Sequence, residues 1–269
     1  MLLFLACADP ESVADTATTA LAGPWEPRFT FAILADPHVS DASANLARLQ
    51  AANAWLSENA VAEDIQLVLI LGDIAWYDGF PLVTDAFSVL PMPWVPILGD
   101  NEVQLGDEQT FDATFAAQYT VLSGQLDNFT RGSTPVDNPE YGVASWFQNL
   151  SFDYGEVHFA GLDWCTRHIG GIEGEMADLH DFSGGTLPWL AADLATLDEG
   201  PSDLLRTWDD AIYANFAGHY HFNGEEVDSG RPLDVYVTDA VWDDELTIRL
   251  VDVEGNGVAM RYTHRLIEL

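Results

Sequence analysis

Three apolar runs that each end in an aspartate constrain the fold of this 269-residue chain more than any other feature. They are FAILAD at 31–36, IQLVLILGD at 65–73 and VPILGD at 95–100. Between the first two, apolar residues recur at helical spacing, and PLVTDAFSVL at 81–90 predicts a helix before the third. Continuous apolar strands joined by helices predict a parallel sheet that is covered on both faces.

Polar side chains collect where these runs end. They are Asp36 and His38, then Asp73, then Asp100, Asn101 and Glu102. Residues two apart on a strand share a face, so we expect Asp36 and His38 to point the same way. One terminal aspartate is typical of a helix cap or a turn, but the ends of parallel strands meet at one edge of a sheet. Carboxylates gathered there repel one another without cations, which favours a metal site.

The second half of the chain adds histidines at another strand end. AIYANFAGHYHFNG at 211–224 predicts an apolar strand with His219 and His221 at its exit. Before it, alternating residues predict an antiparallel hairpin over 141–164, and TLPWLAADLATL predicts an amphipathic helix. The last three runs, which begin near 232, 245 and 257, are predicted to be strands of a second sheet.

Charge limits the partners that such a chain can have. The 9 basic residues, all arginine, stand against 44 acidic residues, for a formal net charge of −35. This balance argues against nucleic acid as a partner. The acids are scattered along the chain, so we expect a solvated acidic surface whose self-repulsion needs salt, as in a halophilic protein.

The N-terminus has the features of an export signal. MLLFLAC resembles the lipobox of bacterial lipoproteins, in which Cys7 would carry a lipid, although the apolar run is short and lacks a basic region. The following stretch to Pro27 is predicted to be a flexible acidic linker. We therefore expect a segment at 1–27, a domain at 28–269 and an exported protein, anchored to a membrane only through Cys7. Cys165 is predicted to be a small core residue.

The ordered blocks D-x-H, G-D, G-D-N-E and G-H-x-H resemble the calcineurin-like metallophosphoesterases, the superfamily of the purple acid phosphatases. The resemblance runs from about Phe29 to the end of the chain. It implies an α/β fold, an αββα four-layer sandwich of two mixed sheets flanked by helices, with a dinuclear metal site at the sheet ends. It also implies hydrolysis of small-molecule phosphate mono- or diesters.

The resemblance assigns metal ligands residue by residue. Asp36, His38 and His221 match ligands of one metal, Asp73 matches the bridging carboxylate and His219 matches a ligand of the second metal.

The third block departs from the family pattern G-N-H-D/E. An alignment without a gap makes Asp100 the ligand and puts Asn101 where the family has its catalytic histidine. A slip of one residue instead keeps Asn101 as a ligand, and we prefer the version without a gap because a carboxylate is an equally competent ligand.

One ligand of the second metal is missing from the expected place. The family has a further strand ending in histidine before G-H-x-H, and residues 198–217 contain none. His168 or His180 could replace it, whereas His158 and His264 are expected to be structural. The resemblance thus implies two divalent or trivalent ions (Mn, Fe, Zn or Co), the second held weakly. The alternative is a degenerate surface lipoprotein of this fold that binds one metal or none and has little activity.

Overall fold

The structure, a computed structural model, describes most of the chain. The described residues are 2–6, 22–40, 44–76, 78–104, 108–132, 134–167, 177–196, 212–226, 234–242, 246–257 and 260–269.

A five-stranded mixed sheet carries the three apolar runs. Its strands, in spatial order, are β14 (Met260–Glu268), β13 (Thr247–Gly255), β2 (Glu26–Ala35), β3 (Ile65–Leu71) and β4 (Trp94–Ile97). β2, β3 and β4 are parallel, as predicted, and β13 and β14 add to them in antiparallel fashion. Pro96 is tolerated in β4 because that strand lies at the sheet edge.

A seven-stranded mixed sheet forms the second layer. Its order is β11 (Gly224–Glu226), β12 (Asp234–Val237), β10 (Ile212–Ala217), β1 (Leu2–Ala6), β9 (Val157–Gly161), β8 (Leu150–Tyr154) and β5 (Asp127–Arg131). A separate hairpin pairs β6 (Val136–Asn138) with β7 (Val143–Ser145). Of the hairpin predicted over 141–164, β8 and β9 form the antiparallel pair.

Helices cover the outer faces of the two sheets. They are α1 (Ala44–Asn59), α2 (Gly79–Phe87), α3 (Asp100–Gln104), α4 (Glu108–Leu122) and α5 (Thr186–Leu194). Helix α2 contacts both α1 and α4, and α4 contacts β4, while α5 packs on β9 through Leu194. Among the described helices, α1 is the longest at 16 residues, and none has the length and apolar character needed to cross a membrane.

Aromatic side chains join the two sheets face to face. The ring of Phe31 in β2 lies 5.3 Å from Phe159 in β9 and 5.8 Å from Phe216 in β10, both in edge-to-face geometry. Such pairs contribute about 0.5–1.5 kcal/mol beyond their area burial. Two sheets packed between helices are the αββα sandwich predicted from the sequence.

The pairing of the closing strands differs from the prediction. Only β12 joins the second sheet, whereas β13 and β14 extend the first through the pairing of β13 with β2. Periodicity shows that a segment is a strand but not which neighbour it hydrogen-bonds. The predicted elements also did not include α4, although Phe111, Phe115 and Tyr119 recur at helical spacing and are buried.

The N-terminal apolar run forms a strand inside the seven-stranded sheet. Leu2–Ala6 pairs antiparallel with both β9 and β10. The lipobox cysteine, Cys7, and most of the predicted linker lie outside the described residues. Lipoprotein processing before Cys7 would remove residues 1–6, so the strand and the lipid anchor exclude each other on one mature chain.

We expect Leu3→Pro to lower the melting temperature by several degrees. A strand with neighbours on both sides uses its backbone N–H groups in the sheet, and proline removes one and clashes with the ladder. The check is thermal unfolding of the full chain, with Ala22→Pro, at an exposed residue outside any strand, as control. Equal melting temperatures for all three proteins would contradict the placement of β1.

Candidate metal centre

Loops at the ends of β2, β3, β4 and β10 bring the predicted site residues into two adjoining groups. The first group is Asp36, His38, Asp73 and His221. The second is Asp73, Asp100 and His219. Within each group, one candidate ligand atom from every residue lies within 4.8 Å of the others. Asp73 belongs to both groups, so one carboxylate stands between two possible ion positions.

The backbone at these residues is left-handed. The φ angles of Asp36, His38, Asp73, His219 and His221 lie between 46° and 76°. Non-glycine residues adopt such angles rarely, and each costs on the order of 1–3 kcal/mol. The alternation of side chains along a strand therefore does not explain why Asp36 and His38 converge. Both lie beyond the end of β2, in a strained turn that directs them to one group.

Two glycines allow the loops to approach closely. A Cβ on Gly99 would lie 2.1 Å from the backbone nitrogen of Asp73. A Cβ on Gly218 would lie 2.4 Å from Oδ2 of Asp36. Because no other residue lacks a Cβ, the G-D-N-E and G-H-x-H blocks need their glycines for packing and not for chemistry.

Glu102 links the loop that follows β3 to the loop that follows β4. Its fully buried carboxylate accepts hydrogen bonds from the backbone N–H groups of Asp73, Ile74, Ala75 and Gly99, at 2.7–3.1 Å. Glu102 was recognised in its block of the sequence but had no predicted role. The available signal was its position as the acidic fourth residue of the G-N-H-D/E pattern.

Asp100 and Asn101 take different places. Oδ1 of Asp100 lies 2.8 Å from Nδ1 of His219, within the second group. The backbone N–H of Asn101 donates to Oδ1 of Asp73 at 3.0 Å, and its Nδ2 lies 2.9 Å from Nδ1 of His38. Asp100 thus has the place of a ligand in the second group, and Asn101 contacts both Asp73 and His38. The choice between the two alignments of this block stays a prediction.

Burial and mutual repulsion dominate the electrostatics. Burial, assisted by neighbouring carboxylates, raises the pKa of Asp36 to about 8 and that of Asp73 well above its usual range. Burial also lowers the pKa of His38 to about 4, with a contribution from His221. For Asp100, burial acts to raise the pKa, but the hydrogen bond and positive field of His219 outweigh it and lower the pKa.

The donor set fits bound cations. Nε2 of His38 lies 3.2 Å from Nε2 of His221 and 3.6 Å from Oδ2 of Asp73, so the coordinating atoms face one another. Asp36 and Asp73 are buried carboxylates whose charge costs free energy unless a cation balances it. Histidine and carboxylate ligands without thiolate suit Mn, Fe, Co or Zn. His38, Asp36, Asp73 and His221 would hold one ion, and Asp73, Asp100 and His219 the other.

Three further histidines in the described part of the chain, His158, His180 and His264, lie outside both groups. His158 bridges Asp153 at 2.6 Å and Asp193 at 2.9 Å, and His264 contacts Arg249 and Glu225, so both are structural as expected. His168 is outside the described residues. His180 is fully buried and is not part of either group. Within the described chain, the second group thus has three members where the first has four.

A cleft of about 210 Å³ is lined by all three members of the second group and by Asp36 of the first. Its walls include Trp164, Cys165 and Tyr220 beside Asp36 and Asp73. Cys165 is partly buried and packs against the main apolar core, in agreement with the prediction, and it also contributes to this wall. Tyr220 in this wall remains exposed, as does Phe222, whose ring centroid lies 6.1 Å from that of Tyr220.

The fold and the paired ligand groups define an αββα protein with a candidate dinuclear metal centre. The sequence profile of the calcineurin-like phosphoesterases matches residues 29–232. The chain therefore belongs to the calcineurin-like phosphoesterase family.

Other comparisons give weaker similarity. No curated protein sequence matches the chain. Among solved structures, Vacuolar Protein Sorting 29 from Cryptosporidium parvum is 11% identical over 91% of this chain and 100% of that one, with a TM-score of 0.34. Vps29 from Chaetomium thermophilum is 10% identical over 90% and 97%, with a TM-score of 0.31. The family assignment rests on the profile match alone.

Replacing Glu102 should destabilise the whole centre. The change Glu102→Gln keeps the shape of the side chain, but an NH₂ group replaces one oxygen and faces two N–H donors. We therefore expect the free energy of unfolding to fall by at least about 2 kcal/mol. Chemical denaturation measures it. Glu63→Gln, which alters a partly exposed pair with Arg265, is the control and should cost less than about 1 kcal/mol. Equal effects of the two changes would refute this role of Glu102.

Proposed function

We propose that the protein hydrolyses phosphate mono- or diesters at a dinuclear metal centre. The observation that carries the proposal is the position of Asp73, which is shared by two groups of histidine and carboxylate ligands under an open cleft. Membership in the calcineurin-like phosphoesterase family supports the same reaction. A formal net charge of −35 makes bound cations more necessary, because an anionic substrate would otherwise be repelled.

Ions bound at this centre would supply an activated water and neutralise charge on the phosphoryl oxygens. The chain contributes position and hydrogen bonds. Glu102 and the backbone N–H of Asn101 hold Asp73 in place. The exposed aromatic rings of Tyr220 and Phe222 offer an apolar surface to the leaving group.

Asn101 gives this centre a distinct chemistry. Its amide can donate a hydrogen bond to a substrate but cannot transfer a proton, unlike the histidine found there in the family. The chain therefore suits esters whose leaving groups depart as stable anions.

The alternative function is metal or ligand binding with little turnover. It is favoured by the three-membered second group and by His219, whose side chain is 43% exposed. An exposed ligand in an incomplete set binds an ion weakly, and a single tight ion lacks the clamp of a two-metal site.

Metal content and hydrolysis distinguish the two functions. We expect about one tightly held ion per chain, with p-nitrophenyl phosphate or bis-p-nitrophenyl phosphate hydrolysis rising as a second ion is titrated in. Asp73→Asn should abolish that hydrolysis, whereas His264→Gln should leave it unchanged. A wild-type chain that binds ions but hydrolyses neither ester at saturation would favour the binding function.

Asn101→His should restore a proton donor. We expect alkyl phosphate hydrolysis to rise relative to nitrophenyl ester hydrolysis, because only the alkyl leaving group needs protonation. The measurement is the ratio of kcat/KM for the two esters in the wild type and the variant. An unchanged ratio, with metal content equal in both proteins, would show that residue 101 does not face the leaving group.

A further inference from the structure

A second cluster of metal-ligand side chains lies outside the two groups of the metal centre. It consists of Glu140, Asp178 and His180, whose candidate ligand atoms lie within 4.8 Å of one another. Glu140 comes from the turn between β6 and β7, and the other two come from the segment before α5. The cluster therefore joins two parts of the chain that are distant in sequence.

A hydrogen bond made by Nε2 orients the imidazole ring of His180. Nε2 lies 2.9 Å from the carbonyl oxygen of Cys165. A carbonyl only accepts, so Nε2 carries the proton and donates it. In the neutral ring, Nδ1 then offers a lone pair. Metal-binding histidines show this pattern, in which the second ring nitrogen donates to a backbone carbonyl or a carboxylate.

The other nitrogen of His180 is buried without a hydrogen-bond partner. Nδ1 has no hydrogen bond, and the residue is fully buried, with Phe147 4.5 Å from its ring. The nearest ionisable atom is Oε2 of Glu140 at 3.8 Å, which is beyond hydrogen-bonding distance. A lone pair that faces a carboxylate in an apolar surrounding is costly unless a cation lies between them.

Asp178 completes the set as an ionised carboxylate. Oδ1 accepts the backbone N–H of His180 and Oδ2 accepts the hydroxyl of Tyr141, both at 3.0 Å. Burial acts to raise the pKa of Asp178, but these hydrogen bonds outweigh it and lower the pKa. Each oxygen keeps a lone pair for an ion.

We propose that Glu140, Asp178 and His180 bind one divalent transition-metal ion, separate from the dinuclear centre. One imidazole and two carboxylates suit Zn, Mn or Co, and water would complete the shell on the exposed side of Glu140. The 3.8 Å between Nδ1 and Oε2 agrees with ligand atoms about 3–4 Å apart on a common ion, as bonds of about 2.0–2.2 Å require.

The ion would fix one wall of the cleft. His180 holds the carbonyl of Cys165, and Cys165 and Trp164 line the cleft over the dinuclear centre. The ion thus ties that wall to the β6–β7 turn, where Asn138 already accepts the backbone N–H of Glu140 at 2.9 Å.

Calorimetric titration of the metal-free full chain with Zn²⁺ tests the site. Glu140→Gln should weaken one binding event at least about tenfold and leave the others unchanged, as expected for loss of a ligand. Asp137→Asn, which removes the same charge from an exposed position of the same hairpin, should leave every event unchanged. His180→Gln should abolish the event that Glu140→Gln weakens.

The event must also be independent of the dinuclear centre. Asp73→Asn should remove other events and keep this one, so a chain that hydrolyses no phosphoester still reports on the site. Thermal unfolding in excess Zn²⁺ gives a second measurement, since a bound ion raises the melting temperature of the wild type more than that of Glu140→Gln. The proposal would be overturned if Glu140→Gln bound Zn²⁺ as the wild type does, or if Asp137→Asn lost as much affinity as Glu140→Gln. If His180→Gln does not fold, the titration of Glu140→Gln alone decides.

Discussion

The metal centre depends on one buried carboxylate that is not itself in a ligand group. Glu102 accepts four backbone N–H groups from the loops that follow β3 and β4. Its burial raises its pKa to about 7, even though the backbone donors of Ala75, Gly99 and Ile74 act to lower it. The donors therefore offset a large desolvation cost and fix the position of Asp73 relative to Asp100. Together with the backbone N–H of Asn101, which donates to Oδ1 of Asp73, this connection sets the position of Asp73 between the two ligand groups.

The strain at the site is balanced by the rigidity of the sheets. Asp36, with a left-handed backbone, directly follows β2, and Asp73, also left-handed, lies two residues after β3. The apolar residues of these parallel strands are almost all buried. Dense packing, as in the contact of Phe31 with Phe159, leaves the strand ends little freedom to relax. Strained residues persist only where the surrounding structure over-determines them, and here they are the proposed ligands. The core thus holds side chains in positions that a flexible loop would abandon.

The sequence predicted the elements better than their connections. Apolar runs at 31–36, 65–73 and 95–100 were sufficient to predict a parallel sheet with polar residues at one edge, because burial on both faces demands continuous apolar strands. The pairing of β13 with β2 was not predictable, since periodicity does not specify a partner. Periodicity also could not show that Asp36 and His38 converge through a left-handed backbone, because the φ angles of non-glycine residues leave no pattern in the sequence.

The N-terminal strand gives a topological reason for the unequal ligand groups. β1 lies between β9 and β10 and runs antiparallel to both, with Leu2 opposite Phe216 and Gly161. Ligands in this sheet follow the carboxyl end of β10, so the end of β1 that faces the metal centre is its amino end. A strand parallel to β10 in this position would instead have ended at the centre, where the residue after it could serve as a ligand. With β1 in place, the sheet is continuous, but the second group gains no ligand from this position. Its three members in the described chain therefore reflect strand direction as well as the absence of a histidine from residues 198–217.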